Sequence, residues 1–209
     1  INRKKLIKST FISCPGCYPT SVLLPLMPLV KSKTISLKNI IVDSKSGISG
    51  AGRSTKQDLL FAENYDSIRA YGNGQHRHVP EIEHNIFLET KQKVNITFTP
   101  HIIPINRGIM STIYVAGKAQ DIFNKLSGYY SKEKFVIVHD INDIPKISDV
   151  TGSNLCRIGI FSFQKNNTTV IVSTIDNLMK GAAGQAVQNM NIVYSFKEDL
   201  GLDHVSHWP

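Results

Sequence analysis

Eight residues near the start of the chain, Ser13-Cys14-Pro15-Gly16-Cys17-Tyr18-Pro19-Thr20, constrain the fold more than any other stretch. Apolar Phe11-Ile12 leads into them. Val22-Leu23-Leu24, Leu26, Met27, Leu29 and Val30 run out of them. The pattern predicts a strand, a tight Pro-Gly turn and a buried helix. Pro19 suits a first helical position, and Thr20 or Ser21 can cap. Cys17 then sits at or just before the helix N-terminus, where free N–H groups and the positive end of the dipole favour a thiolate. A single cysteine is more often a small buried apolar residue. The Pro-Gly before Cys17 and the Pro-Thr after it favour a nucleophile.

With 209 residues the chain can form one large domain, or a domain with an appendage. At 41% hydrophobic it can bury a core. No apolar run reaches the roughly 18–20 residues of a membrane span, since the best candidate, Val22 to Val30, is short and interrupted by Pro25 and Pro28. Lys4, Lys5 and Lys8 precede only a brief apolar run, so no secretory signal is read. The first residue is Ile1 and not Met, which reads as a fragment or a processed chain. Three cysteines, with Cys156 far from the others, do not form a disulfide framework; a reducing, cytoplasmic setting is expected. A formal charge of +8 raises nucleic-acid binding. The positive charges are scattered, however, with only Arg3-Lys4-Lys5 and Lys8 as a cluster. An anionic small substrate fits them better than a nucleic acid or a membrane.

Along the chain, residues 1–10 read as a basic linker. Ile35, Leu37 and Ile40-Ile41-Val42 predict a strand ending at Asp43-Ser44. Ser46-Gly47-Ile48-Ser49-Gly50-Ala51-Gly52-Arg53 follows, a loop whose backbone can approach a ligand closely. Its G-x-x-G-x-G order and the missing acidic ribose partner set it apart from a Rossmann fingerprint. Residues 55–63 can form a helix, and Tyr71-Gly72-Asn73-Gly74 marks a turn. In His76-Arg77-His78-Val79-Pro80-Glu81-Ile82, Pro80 predicts a helix start, with Ile82, Ile86 and Phe87 on one face and Glu81 and Glu83 in its first turn. Two surface histidines are the ordinary reading. Beside a cysteine, either could move a proton. Arg77 could pair with a substrate or within the protein. Val94, Ile96 and Phe98 predict a strand ended by Pro100-His101 and Pro104. Pro104-Ile105-Asn106-Arg107-Gly108 carries Arg107, whose planar fork suits phosphate or carboxylate, or a surface ion pair. Ile109 to Val115 alternates as a strand, 119–131 reads as a helix, and Phe135 to Val138 as a short buried strand. Residues 140–155 read as loop. Arg157 to Phe163 and Thr168 to Ile175 form strands about a Lys165-Asn166-Asn167 turn, with Cys156 structural. Leu178 to Ile192 is a helix whose Gly181-Ala182-Ala183-Gly184 makes sense if it packs closely.

Taken together, the Pro15–Thr20, Ser46–Arg53, His76–Glu81 and Pro104–Gly108 segments resemble, in order, motifs of the N-acetyl-gamma-glutamyl-phosphate reductase family. That family is related to aspartate-semialdehyde dehydrogenase and, more distantly, to glyceraldehyde-3-phosphate dehydrogenase. The resemblance implies an NADPH-dependent step of arginine biosynthesis. Cys17 would attack an acyl phosphate, phosphate would leave, and hydride would reduce the thioester to N-acetylglutamate semialdehyde. It also implies that His76 or His78 handles the proton. Arg53, Arg107 and Glu81 would hold substrate. Ser46, Gly47, Gly50 and Asn189 would lie near NADP(H). No metal is implied, and a homodimer or homotetramer is. It covers nearly all of this chain but only the C-terminal portion of a typical member, so the N-terminal nucleotide-binding domain is absent and the chain alone should be inactive. Cys14 stands where the family usually has Asn.

The expected fold class is α+β: a mixed, mostly antiparallel sheet with helices on one face, like the C-terminal domain of glyceraldehyde-3-phosphate dehydrogenase. Residues 1–177 would form the catalytic and dimerisation domain. Residues 178–209 would pack on the missing NADP-binding domain, with the His204-to-Pro209 tail uninterpreted. Other readings remain. A related aminoadipate-phosphate reductase would use the same residues. Cys14-x-x-Cys17 at a helix start fits a thiol–disulfide oxidoreductase. Cys14, Cys17, His76 and His78 could ligate zinc, against which stand their wide spacing and the lack of a second paired motif. An isolated, non-enzymatic dimerisation domain is the last.

Overall fold

A computed structural model describes residues 3–53, 56–163 and 167–206. Its centre is a helix, α2 (Cys17–Lys31), buried at every position from Tyr18 to Val30 except Leu24. A helix apolar on all sides must be surrounded, and this one is. It packs on α4 (His78–Thr90), on α5 (Ala119–Tyr130) and on strands β4 (Ile109–Ala116) and β7 (Thr168–Ile175). Pro25 and Pro28 lie inside it. Proline has no N–H to donate to the carbonyl four residues back. Tyr130 Oη donates to the carbonyl that Pro28 leaves free, that of Leu24, at 2.5 Å.

The remaining elements are α1 (Arg3–Leu6), β1 (Ile40–Ser46), α3 (Phe61–Asn64), β2 (Arg69–Ala70), β3 (Ile96–Ile102), β5 (Val136–Val138), β6 (Cys156–Phe163) and α6 (Gly184–Val193). Among the described residues the strands form one sheet in the order β2-β3-β1-β4-β7-β6-β5. The β1–β3 and β5–β6 pairs are parallel and the other pairs antiparallel. This is the mixed, mostly antiparallel sheet that the sequence predicts.

Strict alternation sorts the two faces. Ile40, Val42, Ile109, Ile113, Val115, Ile158, Ile160, Ile171 and Ile175 join the side chains of α2, α4 and α5 in one core. Hydroxyls inside that core satisfy one another: Ser111 Oγ lies 2.7 Å from both Ser21 Oγ of α2 and Ser44 Oγ of β1. A buried hydroxyl without a partner would cost roughly 1–3 kcal/mol. On the opposite face, the segment after β5 covers β6; a Cβ on Gly159 would come within 2.6 Å of Pro145. Over β1, β3 and β4 that face stays open, with Ile41 exposed and Met110, Thr112 and Tyr114 partly so.

Several local expectations need correction. Phe11 to Gly16 forms neither strand nor turn; Ile12–Gly16 enters α2 without a turn, and Gly16 is extended at φ −62°, ψ 164°. Pro19 is the third helical residue, not the first. No side chain caps α2; Thr20 Oγ1 donates back to the Gly16 carbonyl instead, at 3.0 Å. Helix α4 begins at His78, two residues before Pro80, and Phe87 is exposed. Strand β3 runs through Pro100 to Ile102, because the Pro100 carbonyl accepts from Tyr71 N while proline's missing donor is not needed there. Residues 3–6 are a helical turn and not a linker. Arg3 pairs with Glu133 and Glu198. The 178–192 helix opens with a π-helical turn, Met179–Ala183. Lys165, Asn166 and the last three residues of the tail lie outside the described residues.

Candidate active site

The sheet's pairing brings the motifs together. In register, Ser46 at the end of β1 lies beside Ile102 at the end of β3 and Ile109 at the start of β4, and Ile109 lies beside Ile175 at the end of β7. The loops leaving these positions therefore share one end of the sheet. They are Ser46–Arg53, Ile103–Gly108 and Asp176–Ala183. The N-termini of α2 and α4 open at that end too.

Cys17 is the first residue of α2 and is partly exposed. Two close approaches frame it. A Cβ on Gly181, in the π-turn, would lie 2.8 Å from Cys17 Cβ. A Cβ on Gly16 would lie 2.5 Å from His78 Nε2. Only glycine at these positions lets the turn and the imidazole come so near. Burial pushes the Cys17 thiol above its ordinary pKa. Backbone N–H groups of Tyr18 and Cys17 pull it down, and so does the nearby Arg77 charge, without outweighing burial. The depression expected at a helix start is thus present but smaller than desolvation.

His78 is buried, and its pKa falls to about 4 through desolvation and the neighbouring His76 and Arg77. It is neutral at pH 7, able to accept a proton, and its Nδ1 has no hydrogen-bond partner. His76 is lowered by partial burial and then by Arg77. Its Nδ1 accepts from His78 N at 3.2 Å, which assigns its own proton to Nε2. Tyr18 meets both histidine rings and Phe98 edge-on, at centroid distances of 5.5, 5.9 and 5.3 Å. Tyr71 Oη donates to Tyr18 Oη at 3.0 Å. Desolvation raises both tyrosine pKa values, so both stay neutral. Glu81 Oε1 accepts from Gly16 N at 3.0 Å.

The glycine loop docks on the arginine loop. Gly47 N donates to the Gly108 carbonyl at 2.9 Å, and Ser49 N to the Asn106 carbonyl at 3.1 Å. A Cβ on Gly47 would strike the Asn106 carbonyl oxygen at 2.6 Å, and one on Gly50 would strike Ser46 Oγ at 2.8 Å. Arg107 pairs with the fully buried Asp176 at 2.9 Å. Asp176 also accepts from Gly152 N, Leu178 N and Met179 N. Arg53 is exposed at the outer end of its loop. Asn189 Nδ2 reaches Cys14 Sγ at 3.4 Å. Cys14, Cys17 and Cys156 are free thiols. Asp176, Tyr18 and Tyr71 are not site candidates on the sequence alone. The glycines of the 181–184 run were the one signal for a close approach.

The site and sheet define a semialdehyde-dehydrogenase-type fold with a cysteine at a helix start. Residues 17–177 match the family model for the semialdehyde dehydrogenase dimerisation domain, and the chain belongs to that family. Among curated relatives, it is 49% identical over 206 residues to the N-acetyl-gamma-glutamyl-phosphate reductase of Ehrlichia canis (strain Jake), covering 96% of this chain and 59% of the relative. It is 47% identical to the enzyme of the same name from Geobacter metallireducens, covering 100% of this chain and 62% of the relative. The chain thus spans about three-fifths of the length of these relatives. Among solved structures, aspartate semialdehyde dehydrogenase II from Vibrio cholerae superposes with a TM-score of 0.72 at 15% identity, over 93% of this chain and 66% of that one. A probable aspartate-semialdehyde dehydrogenase from Pseudomonas aeruginosa gives 0.70, also at 15%. At that identity these two speak for the fold.

Proposed function

We propose that this chain is the cysteine-bearing portion of an NADPH-dependent N-acetyl-gamma-glutamyl-phosphate reductase of arginine biosynthesis. The observation that carries the reading is Cys17 at the first turn of a buried helix, framed by Gly181 and by His78 behind Gly16. The names of the relatives favour the acetylglutamyl over the aminoadipyl substrate.

The Cys17 sulfur, deprotonated by a neutral histidine, attacks the carbonyl carbon of the acyl phosphate. The carbon–oxygen bond to phosphate breaks and inorganic phosphate leaves, giving a thioester on Cys17. His78, neutral and beside Gly16, is the better placed acceptor. His76 packs against it and against both tyrosines. Arg77, exposed next to both, supports the negative charge on sulfur. Arg53 is a candidate for an anionic substrate group. Arg107 would serve through the loop it orders, since its guanidinium is already paired.

The chain's residues fit only the reacting end of a nicotinamide cofactor. The Gly50–Gly52 stretch is exposed, and a Cβ at Gly52 would meet nothing within 4 Å. Ser46, Gly47 and Gly50 shape that stretch, and Asn189, which reaches Cys14, is a further candidate for a contact with the cofactor. No strand–Gly-x-Gly-x-x-Gly–helix unit occurs among the described residues to hold the dinucleotide. That part belongs to a nucleotide-binding domain outside this chain, against which residues 178–209 would pack. When bound, the cofactor supplies the hydride that converts the thioester to the aldehyde and frees Cys17. The family is described as a dimerisation domain, which supports a homodimer or homotetramer. No helix among the described residues is long and apolar enough to cross a membrane.

The test is NADP-dependent oxidation of N-acetylglutamate semialdehyde with phosphate, followed at the NADPH absorbance, in the full-length protein. Cys17→Ser should abolish turnover with the fold intact, and Cys14→Asn should retain it. Turnover in Cys17→Ser would remove the nucleophile assignment.

A further inference from the structure

Glu81 stands one helical turn after His78 on α4. Residues i and i+3 share a helix face, and here both meet the same residue of the chain entering α2. The His78 ring lies against the Gly16 Cα, within 2.5 Å of where a Cβ would be. Glu81 Oε1 accepts from the Gly16 N–H at 3.0 Å. Gly16 in turn fixes the start of α2, its carbonyl accepting from Thr20 N at 2.9 Å and Thr20 Oγ1 at 3.0 Å. Ile12–Gly16 has no strand partner to hold it, so this carboxylate ties the approach to the nucleophile to the helix that carries the histidine.

We infer that Glu81 is a positioning residue: through the Gly16 N–H it sets the Cys17 helix start in register with His78. The resemblance implies a substrate contact for Glu81, whereas this hydrogen bond engages it within the protein. The inference rests on the reading of Cys17 as nucleophile. Its chemistry separates reach from charge. Gln keeps an acceptor oxygen at the same distance and loses the charge. Asp keeps the charge but is shorter by about 1.5 Å, one carbon–carbon bond.

The experiment compares Glu81→Gln and Glu81→Asp in the full-length protein by steady-state kinetics, with thermal unfolding as a check on folding. Glu81→Gln should keep KM within about threefold of wild type and lose far less kcat than Glu81→Asp, any change in kcat reflecting the removal of its charge from beside the Cys17 thiol. Glu81→Asp should lose about 10- to 100-fold in kcat, with KM within about threefold, because a misplacement near 1 Å is costly to reaction and not to binding. Equal losses in both variants, or a raised KM in Glu81→Gln, would overturn the inference in favour of a charged substrate contact. Wild-type kcat in Glu81→Asp would also overturn it. Hydrogen exchange over Ser13–Tyr18 in the same proteins needs no substrate. Exchange at the Gly16 amide should be faster than wild type in Glu81→Asp and unchanged in Glu81→Gln; unchanged exchange in both would sink the inference even if the substrate assignment failed. Turnover in Cys17→Ser marks that other failure by itself.

Discussion

At the scale of single residues, burial decides the chemistry. His78 has a folded pKa of about 4 against an ordinary 6.5. Between those values the unfolded chain binds more protons, so stability rises with pH. The His78 contribution is complete above about pH 6.5 and is lost as pH falls toward 4, by something on the order of 3 kcal/mol. Urea unfolding at pH 7 and pH 4.5 should show that loss, and His78→Gln should flatten it; an equal acid loss in the variant would assign it elsewhere. The place of Cys17 at a helix start was readable from its flanking prolines and glycine, because those residues specify local backbone. The two histidines were not separable, since both lie within the same short motif. Only the packing of Gly16 on His78, and the use of the His76 Nδ1 by a backbone N–H, tells them apart. Arg107 was readable as a cation seeking an anion. Its partner Asp176 is distant in sequence and met only through the β4–β7 pairing.

At the scale of elements, close approach replaces propensity. The π-turn before α6 touches Cys17 because residue 181 has no side chain. Gly181→Ala should lower kcat by about 10- to 100-fold, since overpacking here shifts the sulfur and not a distant wall. Circular dichroism should show the fold retained, and an active variant would mean that the turn yields without moving Cys17. Strand alternation in β4 and the helix over 119–131 were predicted well, because periodicity is a local signal of a one-sided core. Helix starts were predicted poorly. Pro19 and Pro80 are each third in their helices, because the N–H groups of a first turn have no intrahelical partner and proline is tolerated at any of them.

For the whole molecule, a mixed sheet gathers four motifs, spread from residue 13 to residue 108, at one end. The open face of β1, β3 and β4 is the surface we assign to self-association. The full-length protein should sediment as a dimer or tetramer, and Ile41→Glu should shift it toward monomer; a wild-type monomer at micromolar concentration would refute this. By itself the sequence determined the α+β class, most of the strands and the helix start at Cys17, because these follow from local pattern and from motif resemblance. The tertiary structure alone decided that His78 and not His76 lies against Gly16, what Arg107 and Glu81 bind, and that burial raises the Cys17 thiol. Each of these depends on distance and dielectric between segments that no local rule relates.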